Sequence, residues 1–151
     1  MKIVFLDFDG VLNSTRFSRE MLDGPGADDA LDPVAVEILN RIVERTTAKV
    51  VVSSTWRLTH PLERIVAILR AHGFRGEVLG ATPVRSGPRS GEIAAWLSEQ
   101  RSVTSFVILD DLADMGRFAK RHVRTRVEDG LLPEHEALAC AVLNRRRLLF
   151  W

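Results

Sequence analysis

Lys2-Ile3-Val4-Phe5-Leu6-Asp7-Phe8-Asp9-Gly10-Val11-Leu12-Asn13 opens the chain, and its reading decides the fold. The apolar run has the character of a strand buried on both faces of a parallel sheet. It stops at two carboxylates and a glycine. Ligands of an open α/β sheet bind beyond the carboxyl ends of the strands, so a strand ending in Asp-x-Asp-Gly aims both acids at the reaction site. Charge this dense at the end of a buried strand needs compensation, and a divalent cation supplies it. Two carboxylates, water and a substrate phosphate oxygen complete the octahedral shell of Mg²⁺. Taken alone, the motif also fits an Asx-turn in which one Asp caps the backbone and the other is solvated.

Two further strands share this character. Lys49-Val50-Val51-Val52 ends in Ser53-Ser54-Thr55-Trp56-Arg57, and Ser105-Phe106-Val107-Ile108-Leu109 ends in Asp110-Asp111. Between them, Arg85-Ser86-Gly87-Pro88-Arg89-Ser90-Gly91-Glu92 places a cation just before a helix start. Acids at two strand tips, hydroxyls at a third and a cation before a helix, in this order, resemble the haloacid dehalogenase (HAD) superfamily of aspartate-nucleophile phosphatases and phosphotransferases. The resemblance spans nearly the whole chain. Asp-Phe-Asp-Gly-Val-Leu-Asn with Ser-Ser-Thr-Trp-Arg and Asp-Asp is most similar to the small capless branch associated with nucleic-acid (RNA) repair proteins.

Composition bounds the reading. At 151 residues and 16.9 kDa, the chain is read as one domain, 1–151, large enough for a single core. Lys and Arg number 21 against 20 Asp and Glu, so there is no global pull toward nucleic acid or membrane and any basic footprint is local. Cys140 is the only cysteine, which excludes an intramolecular disulfide; among Ala and Leu residues it reads as a packed thiol. No leader segment and no run approaching a membrane span is apparent, so the expected location is the cytoplasm.

Strand and helix signals alternate along the chain, which implies a mainly parallel sheet covered on both faces. After the first strand, 14–32 is polar and carries Gly24-Pro25-Gly26; it reads as a lid loop at most, with a short helix around Phe17 to Leu22. Asp32-Pro33 signals a helix N-cap and first turn, with Val36, Leu39, Ile42 and Val43 at helical spacing. His60-Pro61 opens the next helix, which Gly73 ends. Glu77 to Leu79 is a short strand, and a helix runs from Ser90 or Gly91 through Leu97. The reading closes with a helix over Ala113 to Arg121, an edge strand over His122 to Thr125 and a helix from Pro133 to Arg145. The resemblance implies a three-layer Rossmann-like fold of about five strands in the order 5-4-1-2-3, without a substantial cap domain.

The resemblance also implies roles. Asp7 is the nucleophile and Asp9 the general acid and base, and Ser53 hydrogen-bonds the phosphoryl group, with Ser54 and Thr55 as rivals for that place because a turn after the strand can present any of them; Ser54, Arg57 and Gly10 are placed at the substrate. Mg²⁺ is held by Asp7, the backbone carbonyl of Asp9, and Asp110 or Asp111, with Asp110 favoured as the direct ligand and Asp114 as a helix-start residue. The superfamily's usual Lys is missing here. Arg89 is its natural substitute and Arg85 the alternative, Arg being permanently charged and forked across two oxygens. From the residues alone, Arg57 holds a phosphate or pairs with a nearby acid, and Trp56 packs on the first helix or offers a flat stacking platform. Arg145-Arg146-Arg147 with Leu148-Leu149-Phe150-Trp151 reads as a solvated basic turn and a packed apolar tail, or as a nucleic-acid or partner contact.

Without a cap, such a site excludes water poorly around a small molecule but admits a polymer end. The expected function is therefore a Mg²⁺-dependent phosphohydrolase working through an aspartyl phosphate, with nucleic-acid terminal phosphates as leading substrates. Small phosphomonoesters come next. The competing class is a weakly active phosphate- or nucleic-acid-binding protein. Neither a membrane nor an obligate protein partner is implied.

Overall fold

A computed structural model describes residues 1–21 and 29–145. Its elements are β1 (Lys2–Leu6), α1 (Thr15–Glu20), α2 (Pro33–Thr46), β2 (Lys49–Val52), α3 (Leu62–Ala71), β3 (Val78–Ala81), α4 (Arg89–Ser98), β4 (Ser105–Asp110), β5 (His122–Arg124) and α5 (Pro133–Asn144), with 3-10 turns at Thr55–Leu58 and Gly116–Arg121. The five strands form one parallel sheet in the order β3-β2-β1-β4-β5. This is the expected 5-4-1-2-3 order read from the other edge.

Sequence alternation sorts the sheet into two cores. Val4, Leu6, Val50, Val52, Val107 and Leu109 pack with α2, α3 and α5 through Ile38, Leu39, Ile42, Ile65, Leu69 and Leu143. Ile3, Phe5, Val51, Phe106 and Ile108 face the other way, against Ile93 of α4 and against Met115 and Phe118. Ile3 through Leu6 are wholly buried, and each such side chain contributes about 1.5–3 kcal/mol relative to exposure. Polar side chains are therefore excluded from the body of β1, and the first positions open to them are at its tip.

The helices start where the sequence signals them. Asp32 Oδ1 accepts from the Val34 N–H at 2.9 Å, and Pro33 occupies the first turn of α2, where its missing N–H costs nothing. Ser14 caps α1 by accepting from Phe17 N. Cys140 is buried, as the packed-thiol reading expects. Among the described residues, no helix is long and apolar enough to cross a membrane.

Several expectations need correction. β3 is Val78–Ala81 rather than Glu77 to Leu79, a shift that places Thr82 at the strand's tip. The helix expected over Ala113 to Arg121 is a 3-10 turn from Gly116. Asp114 Oδ1 accepts from Gly116 N at 2.7 Å, and Gly116 has a positive φ of 52° that an α-helix cannot accommodate. The loop after β2 is likewise wound into a 3-10 turn over Thr55–Leu58. Gly24-Pro25-Gly26 and Arg146 to Trp151 lie outside the described residues.

Candidate active site

Strand register assembles the site. Leu6 is level with Val52 on one side and Leu109 on the other, and Val52 is level with Ala81. The next residues, Thr82, Ser53, Asp7 and Asp110, therefore form a row across four adjacent strand tips. Backbone bonds hold it: Asp7 N donates to Leu109 O, Ser53 N to Leu6 O and Thr82 N to Val52 O, at 2.9–3.0 Å. Asp7, Ser53 and Asp110 lie two residues beyond Phe5, Val51 and Ile108, so the two-residue side-chain period puts them on the α4 face.

The first residue of α4 completes that row. Arg89 Nη1 lies 2.6 Å from Asp110 Oδ2 and 3.1 Å from Asp7 Oδ2. Arg85, the alternative cation, is exposed, and its backbone N–H donates to Glu92 Oε1. Asp7, Asp110 and Asp111 each bring a carboxylate oxygen within 4.8 Å of the others, so three acids face one guanidinium. Burial, together with repulsion from Asp110, raises the Asp7 pKa to about 7 even though Arg89 opposes the shift. Burial and Asp110 also push Asp111 up. On Arg89, burial favours the neutral form, but Asp7 and Asp110 outweigh it and raise its pKa.

These donors fit a hard divalent cation. All are carboxylate oxygens, they converge, and their charge exceeds what Arg89 neutralises. Asp110 is already engaged at both oxygens, Oδ1 by the Leu112 N–H at 2.9 Å and Oδ2 by Arg89. Asp111 is more open.

Asp9 stands apart from this cluster. It is exposed where Asp7 is buried, because the chain turns after Phe8, whose carbonyl accepts from Val11, Leu12 and Asn13 N–H. Asn13 Nδ2 donates to Asp9 Oδ1 at 2.9 Å and Trp56 Nε1 to Oδ2 at 3.2 Å. The two motif acids are thus held differently, one among charges and one by neutral donors. Trp56 itself is buried against Phe8, with ring centroids 4.8 Å apart; it packs, though its ring partner follows β1 rather than lying on the first helix, and its indole N–H adds a second task.

Three residues expected at the substrate are engaged elsewhere in this structure. The Arg57 guanidinium donates to the carbonyls of Ser53, Ser54 and Thr82 at 2.8–3.1 Å and pairs with Glu92. It is the acid-paired alternative that the structure shows. Ser54 follows Val52 onto the opposite face of the sheet, and its Oγ caps the 3-10 turn by accepting from Trp56 N. Gly10 has both backbone polar atoms committed, its N–H to Asn13 Oδ1 and its carbonyl to Thr125 Oγ1. Gly10 supplies room instead: its φ is +78°, and a Cβ there would lie 2.5 Å from Asp111 Oδ2.

Ser53 differs from these three. Its Oγ and that of its row neighbour Thr82 are buried without a hydrogen-bond partner among the described residues. A buried hydroxyl left so costs about 1–3 kcal/mol, and orphaned donors beside a nucleophile suit an oxyanion. Sequence reasoning missed Thr82, because the end of β3 was misplaced by two residues. It also missed Asn13 and Trp56 as anchors of Asp9. The i, i+4 spacing of Asp9 and Asn13 was a usable signal; nothing local links Asp9 to Trp56 across 47 residues.

A five-stranded parallel sheet with acids at the tips of β1 and β4 is the arrangement expected of a HAD-type phosphohydrolase domain. The chain belongs to the family described as the HAD domain in Swiss Army Knife RNA repair proteins, which it matches over residues 3–135. Comparisons with curated proteins and with solved structures give no match.

Proposed function

We propose that the protein is a Mg²⁺-dependent phosphohydrolase that removes terminal phosphates from nucleic-acid ends through an aspartyl phosphate on Asp7. The observation that carries this reading is the level row Ser53–Asp7–Asp110 under Arg89, with Asp9 held separately by Trp56 and Asn13. Membership of a family of RNA-repair domains supports the choice of substrate.

A carboxylate oxygen of Asp7 attacks phosphorus, and the bond to the leaving oxygen breaks with its electron pair on that oxygen. Asp9 gives the leaving oxygen a proton. It then takes one from a water that attacks the acylphosphate, which frees inorganic phosphate and restores Asp7. Ser53 and Arg89 hold the phosphoryl oxygens through both steps. Asp7, Asp110, Asp111 and the backbone carbonyl of Asp9 would hold Mg²⁺, which when bound offsets the repulsion between an anionic nucleophile and an anionic phosphate.

The test is phosphate release from an end-phosphorylated oligoribonucleotide. Release should require Mg²⁺, stop with chelator and fail with Ca²⁺, whose looser shell misplaces the phosphate. Full turnover in chelator would remove the metal from the mechanism. One contact favours a second reading, a weakly active phosphate-binding protein: Arg89 lies 3.1 Å from Asp7 Oδ2 and so competes for the attacking oxygen. Saturable binding of the oligonucleotide without phosphate release would establish that reading.

A further inference from the structure

The row of acids accounts for the phosphoryl group but not for what the phosphate is attached to. A cleft of about 750 Å³ opens beside Asp9, lined by Asp9, Thr55, Trp56, Leu58, His60 and Arg64, with Asp29 among its walls. Its volume lies within the range of about 300–1,000 Å³ usual for ligand sites. The row residues Asp7, Ser53 and Asp110, with Arg89, do not line it. A general acid must touch the oxygen that departs, so the space bordered by the Asp9 carboxyl is where the departing group lies.

The chemistry of the walls narrows that group. Phe8, Trp56 and His60 follow one another outward from the core, with centroids 4.8 and 5.5 Å apart; the inner pair is tilted by 54° and the outer pair is stacked, inclined by 23°. Leu58, on the 3-10 turn that carries Trp56, is 58% exposed. A single exposed leucine means little by itself; this one lines the same cleft as the stacked pair Trp56 and His60. Asp29 pairs with the cation of the cleft, its Oδ2 2.6 Å from Arg64 Nη2, and its Oδ1 lies 3.6 Å from His60 Nε2. Paired in this way, the Arg64 side chain is still 56% exposed, and a guanidinium has five donors in a fixed fork.

We propose that this cleft is the leaving-group subsite and that it takes the terminal nucleoside of a phosphorylated nucleic-acid end. The base lies against His60 and Leu58, and the next phosphodiester reaches Arg64. The assignment rests on the phosphohydrolase reading, because it uses Asp9 as the acid. A sugar phosphate or a phosphorylated serine would not use the flat surface, and a phosphotyrosine would leave the second anion site without a phosphodiester.

The experiment compares two substrates, an end-phosphorylated oligoribonucleotide and acetyl phosphate, whose leaving group is too small to reach Leu58. Leu58→Asp should lower kcat/KM for the oligonucleotide about tenfold or more, the scale of one lost base contact. Arg64→Ser should lower it several-fold and flatten its salt dependence. Both variants should turn over acetyl phosphate within about twofold of the unaltered chain, since neither residue touches the phosphoryl group. Adenosine should inhibit acetyl phosphate turnover competitively in the unaltered chain but not in Leu58→Asp. Equal losses on both substrates, or no loss on the oligonucleotide, would overturn the subsite. Failure of the unaltered chain to hydrolyse either substrate with Mg²⁺ would remove the phosphohydrolase reading and the subsite together, a result distinguishable before any variant is made.

Discussion

Two buried ionic groups lie at the same end of the sheet and obey opposite rules. Arg57 and Glu92 are 7% and 10% exposed along their side chains, and the guanidinium is further saturated by the carbonyls of Ser53, Ser54 and Thr82. Glu92 uses its second oxygen to accept from the Arg85 N–H. Charge and hydrogen bonding are both closed. Arg89 and its acids are equally buried, at 12% for Arg89, 6% for Asp7 and none for Asp110. There, however, three carboxylates share one cation and two neighbouring hydroxyls have no partner among the described residues. The first group fastens the tips of β2 and β3 to α4. The second is left unbalanced, and a group perturbed by burial and like charge where several strand tips converge is a candidate for function rather than for stability.

The largest effect that separates the two is expected from Asp7→Asn. The amide keeps the shape of the side chain but cannot attack phosphorus, so turnover should fall by many powers of ten, to the assay background. The same change removes one charge from an overcharged cluster, so the melting temperature of the metal-free protein should rise or hold. Retained turnover would sink the nucleophile assignment; a large drop in melting temperature would show that the cluster is a structural group like the other.

Arg57→Ala should do the reverse. It leaves Glu92 buried and uncompensated and three carbonyls short of a donor. Loss of one partner from such a pair costs about 3–5 kcal/mol. Denaturant unfolding measures it, and a loss below about 1 kcal/mol would mean that the clamp is incidental.

Arg89→Ala comes third. Loss of a preorganised charge at a reacting centre typically lowers kcat about 10²–10³-fold, and Arg89→Lys should recover part of it by restoring the charge without the fork. Circular dichroism confirms that both variants fold. A change within a few-fold for both would return Arg89 to the role of a helix-flanking residue and make Arg85→Ala the next test.

The two groups were not equally legible in the sequence. Acids at the ends of β1 and β4 and the hydroxyl of Ser53 could be read because a buried strand admits polar residues only where it ends, so position in the pattern discloses exposure to the site. Arg89 was legible as a cation before a helix start. The clamp was not, because Arg57 and Glu92 are 35 residues apart and nothing in either neighbourhood tells an arginine that binds phosphate from one that binds carbonyls. The same blindness misassigned Ser54: one residue of alternation moves a side chain to the other face of the sheet, and three consecutive hydroxyl residues do not say where the strand stops counting. Gly10 showed its flexibility but not its purpose, since room for Asp111 appears only once β1 and β4 are adjacent.

The smallest expected effect is in the pH dependence of stability, and it sharpens the contrast further. Asp7 has its pKa raised from 3.8 to about 7 in the folded protein. Between those values the folded state keeps a proton that the unfolded chain has released, so stability falls as pH rises through that window and levels off above it. The part of the window between about pH 5.5 and 7.5 corresponds to about 1–2 kcal/mol, at 1.36 kcal/mol per unit. Asp111, also raised, adds in the same direction. His135, whose pKa burial lowers, works against it, removing stability as pH falls below the usual imidazole range. The diagnostic quantity is therefore the difference between proteins: the metal-free unaltered chain should lose stability relative to Asp7→Asn as pH rises from about 5.5 to 7.5. Saturating Mg²⁺ should abolish that difference by favouring the ionised carboxylates. Parallel stabilities for the two proteins across this range would mean that Asp7 does not titrate within it and that its pKa in the folded protein lies elsewhere.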